Sequence, residues 1–344
     1  MHGTTCRAEP VKAFVITGPG EAGVAEVPEP VAAMGEVVVA VERAGVCGTD
    51  FEFFTGEMHY FADGQARYPM RIGHEWCGTV VETGEGVHPA WVGRRVVGDT
   101  MLGCGHCRRC RSGHQHVCAD RQEVGIRGGR AGALAEKIAV PVTSLHELPP
   151  HLDATAGALV EPGGNALRAA RAALGEKDGM RVAVYGPGTI GLLTAMFLRA
   201  AGAEVHLVGV TAGSIAFARE LGFTAAAEPP ASPVDAVVDA TSDPAVPAAA
   251  LELVEPSGRL VYIGLAGEPS GIDTRQLTLK DVTAVGILSA SPGLEAAIDR
   301  YADGDVDPRP IVAATVGLHE VADFFAGRRP PGAGPKILVD PNRT

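Results

Sequence analysis

The chain has 344 residues, of which 46% are hydrophobic and 20% charged, and its formal charge is −12. That length predicts two domains at roughly 150 residues each. The acidic balance offers no phosphate-facing patch for nucleic acid, and no apolar run approaches the ~18 residues of a membrane span.

The N-terminus, MHGTTCRAEP, has no apolar signal core, so a soluble, cytoplasmic protein is expected. Short β-branched runs follow between Gly/Pro turns: KAFVIT (12–17), EVVVAVERAG (36–45), GTVVET (78–83), RRVVG (94–98) and LAEKIAV (134–140). Beyond Pro149-Pro150 the pattern changes. Residues 153–174 are Ala/Leu-rich and helical, with a break expected at Pro162-Gly163-Gly164. Uniformly apolar strands then alternate with helices: RVAVY (181–185), a helix over 189–201, EVHLVG (204–209), a helix over 214–221, DAVVDA (235–240), a helix ending near Val254, RLVYIG (259–264) and DVTAVGI (281–287). Such alternation predicts a parallel sheet covered on both faces. The tail holds IVAATV (311–316), a short helix at 318–326 and KILVD (336–340). The expected class is α/β, with a doubly wound parallel sheet over 161–300 and a β-rich domain formed by 1–160 together with 301–344.

Seven cysteines are too few for a disulfide scaffold in so long a chain, but four crowd into residues 104–118. CGHCRRCRSGHQHVC places Cys104, Cys107, Cys110 and Cys118 at C-x2-C-x2-C-x7-C. Two-residue spacers let a tight turn aim successive thiolates at one point, and four thiolates close a tetrahedral zinc shell. A closed shell admits no substrate, so its role is to fold the lobe at 101–120. Arg108, Arg109 and Arg111 soften the charge of that shell, and His106, His114 and His116 are read as solvated. Of the remaining thiols, Cys77 is read as buried core and Cys6 as part of a frayed terminus.

Three further motifs fit one open metal site. Gly-Val-Cys-Gly-Thr-Asp supplies Cys47, Thr49 and Asp50; Gly-His-Glu-Trp-Cys-Gly supplies His74 and Glu75; Val-Glu-Pro-Gly supplies Glu161. A catalytic zinc needs about three protein ligands and one exchangeable position, and cysteine, histidine and glutamate make a mixed set of that kind. Farther on, RVAVYGPGTIG sets Gly186, Gly188 and Gly191 between an apolar strand and a helix, with Thr189 and Ile190 inside the motif. The first glycine permits the turn, the second admits a pyrophosphate close to backbone, and the third lets helix and strand pack. The next strand ends at Gly209, where a carboxylate would indicate NAD. No Lys or Arg stands between Gly209 and Ala218 to pair a 2′-phosphate, and only Thr211 and Ser214 offer neutral donors. A desolvated phosphate without a cation costs more than an imperfectly held ribose, so the expectation leans to NAD over NADP.

In joint order, Gly73-His74-Glu75-x2-Gly78-x5-Gly84-x2-Val87, the cysteine lobe and the glycine motif resemble the zinc-dependent medium-chain alcohol dehydrogenases over essentially the whole chain. Val-Glu-Pro at Glu161 is similar to their sorbitol, glucose, threonine and aminocyclitol branch. The resemblance implies a GroES-like catalytic domain, a Rossmann domain, two zinc ions per chain, and a dimer or tetramer. It implies Cys47, His74 and Glu161 as catalytic-zinc ligands, with Glu75 an alternating or supporting one. It also implies that Asp50 orients the histidine and Thr49 takes the substrate proton. Many relatives carry a histidine three residues after that hydroxyl, where this chain has Glu52, as glucose-dehydrogenase-like members do. Glu52 is then a proton relay or a substrate contact, or a solvated loop acid, and Glu123 a substrate contact or a structural acid. The implied reaction is hydride transfer between NAD(P) and a secondary alcohol of a polyol, sugar or aminocyclitol. The alternatives are a small or amino-acid alcohol such as threonine and, more remotely, a non-catalytic zinc- and nucleotide-binding redox sensor.

Overall fold

The structure is a computed structural model describing residues 9–175, 179–328, 332 and 334–343; Cys6 lies outside them. Two compact units divide the chain: one runs to Glu161 and resumes at Ala314, and the other spans Pro162–Ala313 with Gly332–Pro335.

The first unit begins with β1 (Val11–Gly18) and β2 (Glu21–Val27), which pair antiparallel across Pro19-Gly20. Gly20 has φ 74°, the left-handed position that a Pro-Gly turn requires. β2 was not legible as a strand because it is largely exposed and shows no apolar alternation. β3 (Glu36–Val46) follows, then α1 (Gly48–Thr55), β4 (Met70–Arg71), β5 (Glu75–Thr83), β6 (Arg95–Gly98) and β7 (Met101–Leu102). The cysteine segment carries α2 (Arg108–Arg111), and β8 (Gln122–Glu123), β9 (Lys137–Pro141), β10 (Leu145–Glu147) and α3 (Ala154–Ala158) complete the first pass. β3 is central because its Val37-Val38-Val39 run is buried on both faces. It pairs antiparallel with β5 and β9, bringing Gly45 opposite Glu75. Trp76, Phe14, Phe53 and Ile138 are fully buried here, each contributing about 1.5–3 kcal/mol of burial.

The second unit contains most of α4 (Val160–Leu174), then β11 (Arg181–Tyr185), α5 (Thr189–Ala200), β12 (Glu204–Val208), α6 (Ala212–Glu220) and β13 (Thr224–Ala226). It continues with β14 (Val234–Asp239), α7 (Val246–Leu253), β15 (Val254–Tyr262), α8 (Thr274–Leu279), β16 (Thr283–Gly286) and α9 (Leu294–Ala302). The strands form one parallel sheet in the order β13-β12-β11-β14-β15-β16. That is the doubly wound Rossmann arrangement, whose order reverses between β11 and β14. Contrary to expectation, Pro162-Gly163-Gly164 does not break α4. Pro162 falls in the first turn, where its missing N–H has no intrahelical partner to lose. Gly163 is demanded by packing, since a Cβ there would overlap the Tyr301 hydroxyl.

The chain returns to the first unit through β17 (Val312–Gly317), α10 (Val321–Phe325) and β18 (Lys336–Asp340). β18 pairs antiparallel with β3, setting Ile337 opposite Val46 in the sheet ordered β10-β6-β5-β3-β18-β17. Among the described residues no helix is long and apolar enough to cross a membrane.

Candidate metal and nucleotide sites

In the cysteine lobe, Cys107 caps α2, and its N–H points at Cys104 Sγ at 3.4 Å while Cys110 N–H points at Cys107 Sγ at 3.5 Å. The sulfurs stand 3.9 Å apart for Cys104–Cys110, 3.6 Å for Cys107–Cys110 and 3.8 Å for Cys107–Cys118. A tetrahedron with Zn–S arms of ~2.3 Å has edges of roughly 3.8 Å, so the four sulfurs fit a closed zinc shell. Donation from the backbone N–H groups of His106 and Cys107 brings the Cys104 thiol down to about 6, toward the thiolate a metal needs. Arg109 donates to the Val117 carbonyl at 2.9 Å and so braces the lobe. His106 and His114 are exposed as expected, but His116 is buried, because the turn at Gln115–Val117 folds it inward beside the buried Cys118.

The second cluster is assembled from distant segments. Cys47 caps α1, and its N–H donates to Asp50 Oδ2 at 2.9 Å, closing the first turn. The other Asp50 oxygen accepts from Gly73 N–H at 3.2 Å and stands 3.6 Å from His74 Nδ1. Burial alone would depress the His74 imidazole, but the Asp50 carboxylate and Cys47 sulfur beside it hold it well above its ordinary value. Ligand atoms of Cys47, His74 and Glu75 all lie within 4.8 Å of one another. A thiolate, an imidazole and a carboxylate at that spacing suit a divalent metal of zinc's preferences. Glu161, buried in the first turn of α4, falls outside that cluster.

Lys336 joins the cluster from β18, and nothing in the motifs announced it. Its ammonium donates to both Glu75 oxygens, at 2.9 and 2.6 Å, and to the Val46 carbonyl at 3.0 Å. Both side chains are only 2% exposed. Gly45 makes this approach possible, since a Cβ there would overlap Glu75 Oε2. The available signal was a lysine opening a strand whose next three residues are apolar.

Around the cluster, the Thr49 hydroxyl stands 4.0 Å from Cys47 Sγ and is half-buried. Glu52 is on the exposed side of α1; partial desolvation pushes its carboxyl up, with His59 opposing and Glu57 reinforcing the shift. Glu123 is buried: Arg121 Nε donates to its carboxylate at 2.7 Å and the Tyr60 hydroxyl at 3.3 Å. Cys77 is a core thiol donating to the Ala154 carbonyl, pushed up to about 12 by burial.

In the second unit, Gly186 leaves β11 at φ 88°, and a Cβ on it would stand 2.8 Å from the Ala240 carbonyl beyond β14. Gly188 caps α5 with open space about it, and Gly191 is buried so tightly that a Cβ would overlap the Gly186 carbonyl. The loop thus exposes backbone at the positive end of a twelve-residue helix holding Thr189 and Ile190 in its first turn. A Cβ on Gly209 would stand 2.8 Å from Pro187 Cγ and 3.1 Å from Ile215 Cγ1, so that glycine is a packing requirement. Thr211 caps α6, its hydroxyl bonded to Ser214 Oγ at 2.8 Å. A cavity of about 300 Å³ at the same strand ends is lined by Asp239, Thr241 and Tyr262, which sequence reasoning missed.

Residues 33–150 match the family model for the alcohol dehydrogenase GroES-like domain, and residues 189–303 that for zinc-binding dehydrogenases. The chain is 30% identical over 338 residues to L-threonine 3-dehydrogenase of Streptomyces avermitilis, covering 92% of this chain and 94% of that one. It is 30% identical over 326 residues to 2-dehydro-3-deoxy-L-galactonate 5-dehydrogenase of Pseudoalteromonas atlantica, covering 90% and 92%. A structure described as a zinc-binding dehydrogenase of Sinorhizobium meliloti bound to NADP superposes with TM-score 0.88 at 29% identity, over 97% of this chain and all of that one. With a GroES-like β domain, a Rossmann sheet and both metal-ligand clusters in place, the chain belongs to the zinc-dependent medium-chain alcohol dehydrogenases.

Proposed function

We propose that the protein moves a hydride between NAD(P) and a secondary alcohol of a polyol, sugar or aminocyclitol, using one catalytic and one structural zinc per chain. The observation that carries this reading is α1, where Cys47, Thr49, Asp50 and Glu52 share one capped turn and the segment that follows it. Cys47, His74 and Glu161 would hold the catalytic zinc, with Glu75 a supporting acid because Lys336 already occupies both of its oxygens. Zinc bound there supplies Lewis acidity to the substrate hydroxyl. The Asp50 carboxylate, 3.6 Å from His74 Nδ1, would orient the imidazole toward a bound metal. Thr49 Oγ1 accepts the proton released by the alcohol, and exposed Glu52 passes it to water or binds a neighbouring substrate hydroxyl. Glu123 is spent on Arg121 and Tyr60, so Glu52 is the better candidate for substrate.

Gly186, Gly188, Thr189, Ile190 and Gly191 would cradle the cofactor pyrophosphate, with Gly209 and Thr211 beside its ribose. Pro187 packs where a Gly209 carboxylate would begin, and no cation follows in the loop. Discrimination between the cofactors should therefore be weak, with NAD ahead by no more than about tenfold. Thr211→Arg should move the ratio of kcat/KM values toward NADP by about tenfold, the worth of one charge-assisted contact. The exposed edge strand β16, with Leu279 and Leu288 uncovered nearby, is where a second copy would pair in a cytoplasmic homo-oligomer.

A second reading, oxidation of an amino-acid alcohol, is favoured by the likeness to L-threonine 3-dehydrogenase. Both are tested by steady-state assays of the zinc-loaded protein on polyols, sugars, aminocyclitols and L-threonine, each with NAD and NADP. Turnover of L-threonine alone would displace the polyhydroxylated substrate, and a thousandfold NADP preference would overturn the cofactor reading.

A further inference from the structure

The first unit contains a cavity of about 240 Å³ that belongs to neither the metal cluster nor the glycine loop. Arg67, Arg71 and Arg130 line it together with apolar side chains including Val15, Val27 and Ile126, and no carboxylate is among its lining residues. Arg130 donates to Glu36 Oε1 at 2.5 Å, but its Nε is buried with no acceptor. Arg71 is half-buried and fixed by its backbone, which pairs with Val15 of β1 and accepts from Gly132 N–H at 2.9 Å. Its guanidinium meets no carboxylate or carbonyl among the described residues, and burial alone lowers its affinity for the proton.

A buried guanidinium N–H without an acceptor, as Arg130 Nε is, is destabilising. Of the three arginines that line the cavity only Arg130 has a carboxylate partner among the described residues, which leaves the cluster short of counter-charge. Planar N–H forks match tetrahedral oxyanions, which accept two hydrogen bonds from each. We infer that this cavity binds a phosphate group, free or carried on a small ester, with Arg71 as the principal contact and Arg67 and Arg130 at its sides. The volume is several times the ~30 Å³ share of one water and below the ~300–1,000 Å³ of larger ligand pockets. That leaves room for a short organic body against the apolar wall.

The test is thermal unfolding of the zinc-loaded protein titrated with inorganic phosphate or glycerol 3-phosphate against chloride at constant ionic strength. Wild type should gain about 2 °C at ten times the binding midpoint. Arg71→Met should lose that gain, and Arg67→Met, an exposed position, should weaken it without burdening the fold. A larger gain from glycerol 3-phosphate than from phosphate identifies an ester ligand; equal gains identify the free anion. No gain over chloride overturns the inference, as do equal gains in wild type and both variants, which would place the anion at the glycine loop.

Discussion

The two metal clusters of the first unit are built in opposite ways. The cysteine lobe draws its four sulfurs from 15 consecutive residues, three of them half-exposed, around one helical turn. The cluster of Cys47, His74 and Glu75 gathers a helix cap, a loop and a strand start, and two of its three members are buried. The lobe is symmetric in chemistry, four thiols that would together close a tetrahedral shell. The other cluster mixes sulfur, nitrogen and oxygen, and its supporting acid Glu75 is restrained by a buried lysine 261 positions away. Local thiolates would suffice for a site whose task is to fold a loop, whereas a site that positioned a substrate would need long-range contacts of the kind Lys336 makes to Glu75.

The sharpest way to break this contrast is to remove one ligand from each cluster. His74→Ala should leave the fold intact and lower kcat/KM by roughly a thousandfold or more, the several kcal/mol a Lewis acid supplies. Cys104→Ser should instead lower Tm and soluble yield. Elemental analysis should find one zinc per chain in each variant and two in wild type; one zinc in fully active wild type would collapse the distinction.

Next in size is Lys336→Met. It leaves the Glu75 carboxylate buried and unpaired, so urea unfolding should show a loss of about 3–5 kcal/mol. The double variant Glu75→Gln, Lys336→Met should recover most of it, since no uncompensated charge then remains. Equal losses in single and double variants would mean that the pair acts through packing alone.

Thr49→Ala sharpens the division within the open cluster. Turnover should fall about a hundredfold, the low end of general acid–base assistance, with zinc content and cofactor affinity unchanged. Intact turnover would transfer the proton to Glu52. Smallest is Asp50→Asn, which keeps the shape but loses the charge facing His74. Chelator competition should show zinc held ten- to about a hundredfold more weakly at this site, with the lobe unaffected.

Much of this was legible in the sequence because it depends on short spacings. Cys104 through Cys118 fit one shell through turn geometry alone, and Gly186-x-Gly188 needed only a strand before it and a helix after it. Strands β11, β12, β14 and β15 declared themselves as uniformly apolar runs, since a parallel sheet is buried on both faces. β2 did not, because an exposed strand carries no period to read. The continuity of α4 was hidden because proline and glycine signal a break unless one knows that Pro162 sits in the first turn and that Gly163 faces Tyr301.

By itself the sequence determined the residue types that carry the chemistry, their local turns, and the order of strands and helices along the chain. All of these arise from interactions between residues close in sequence. Only the tertiary structure decided that Lys336 would clamp Glu75, that Pro187 would pack against Gly209, that Glu123 is consumed by Arg121 and Tyr60, and that three arginines would line one cavity whose wall holds no carboxylate. Each of those pairings joins side chains whose proximity is set by sheet register and burial, and neither quantity is carried by the spacing of residues along the chain.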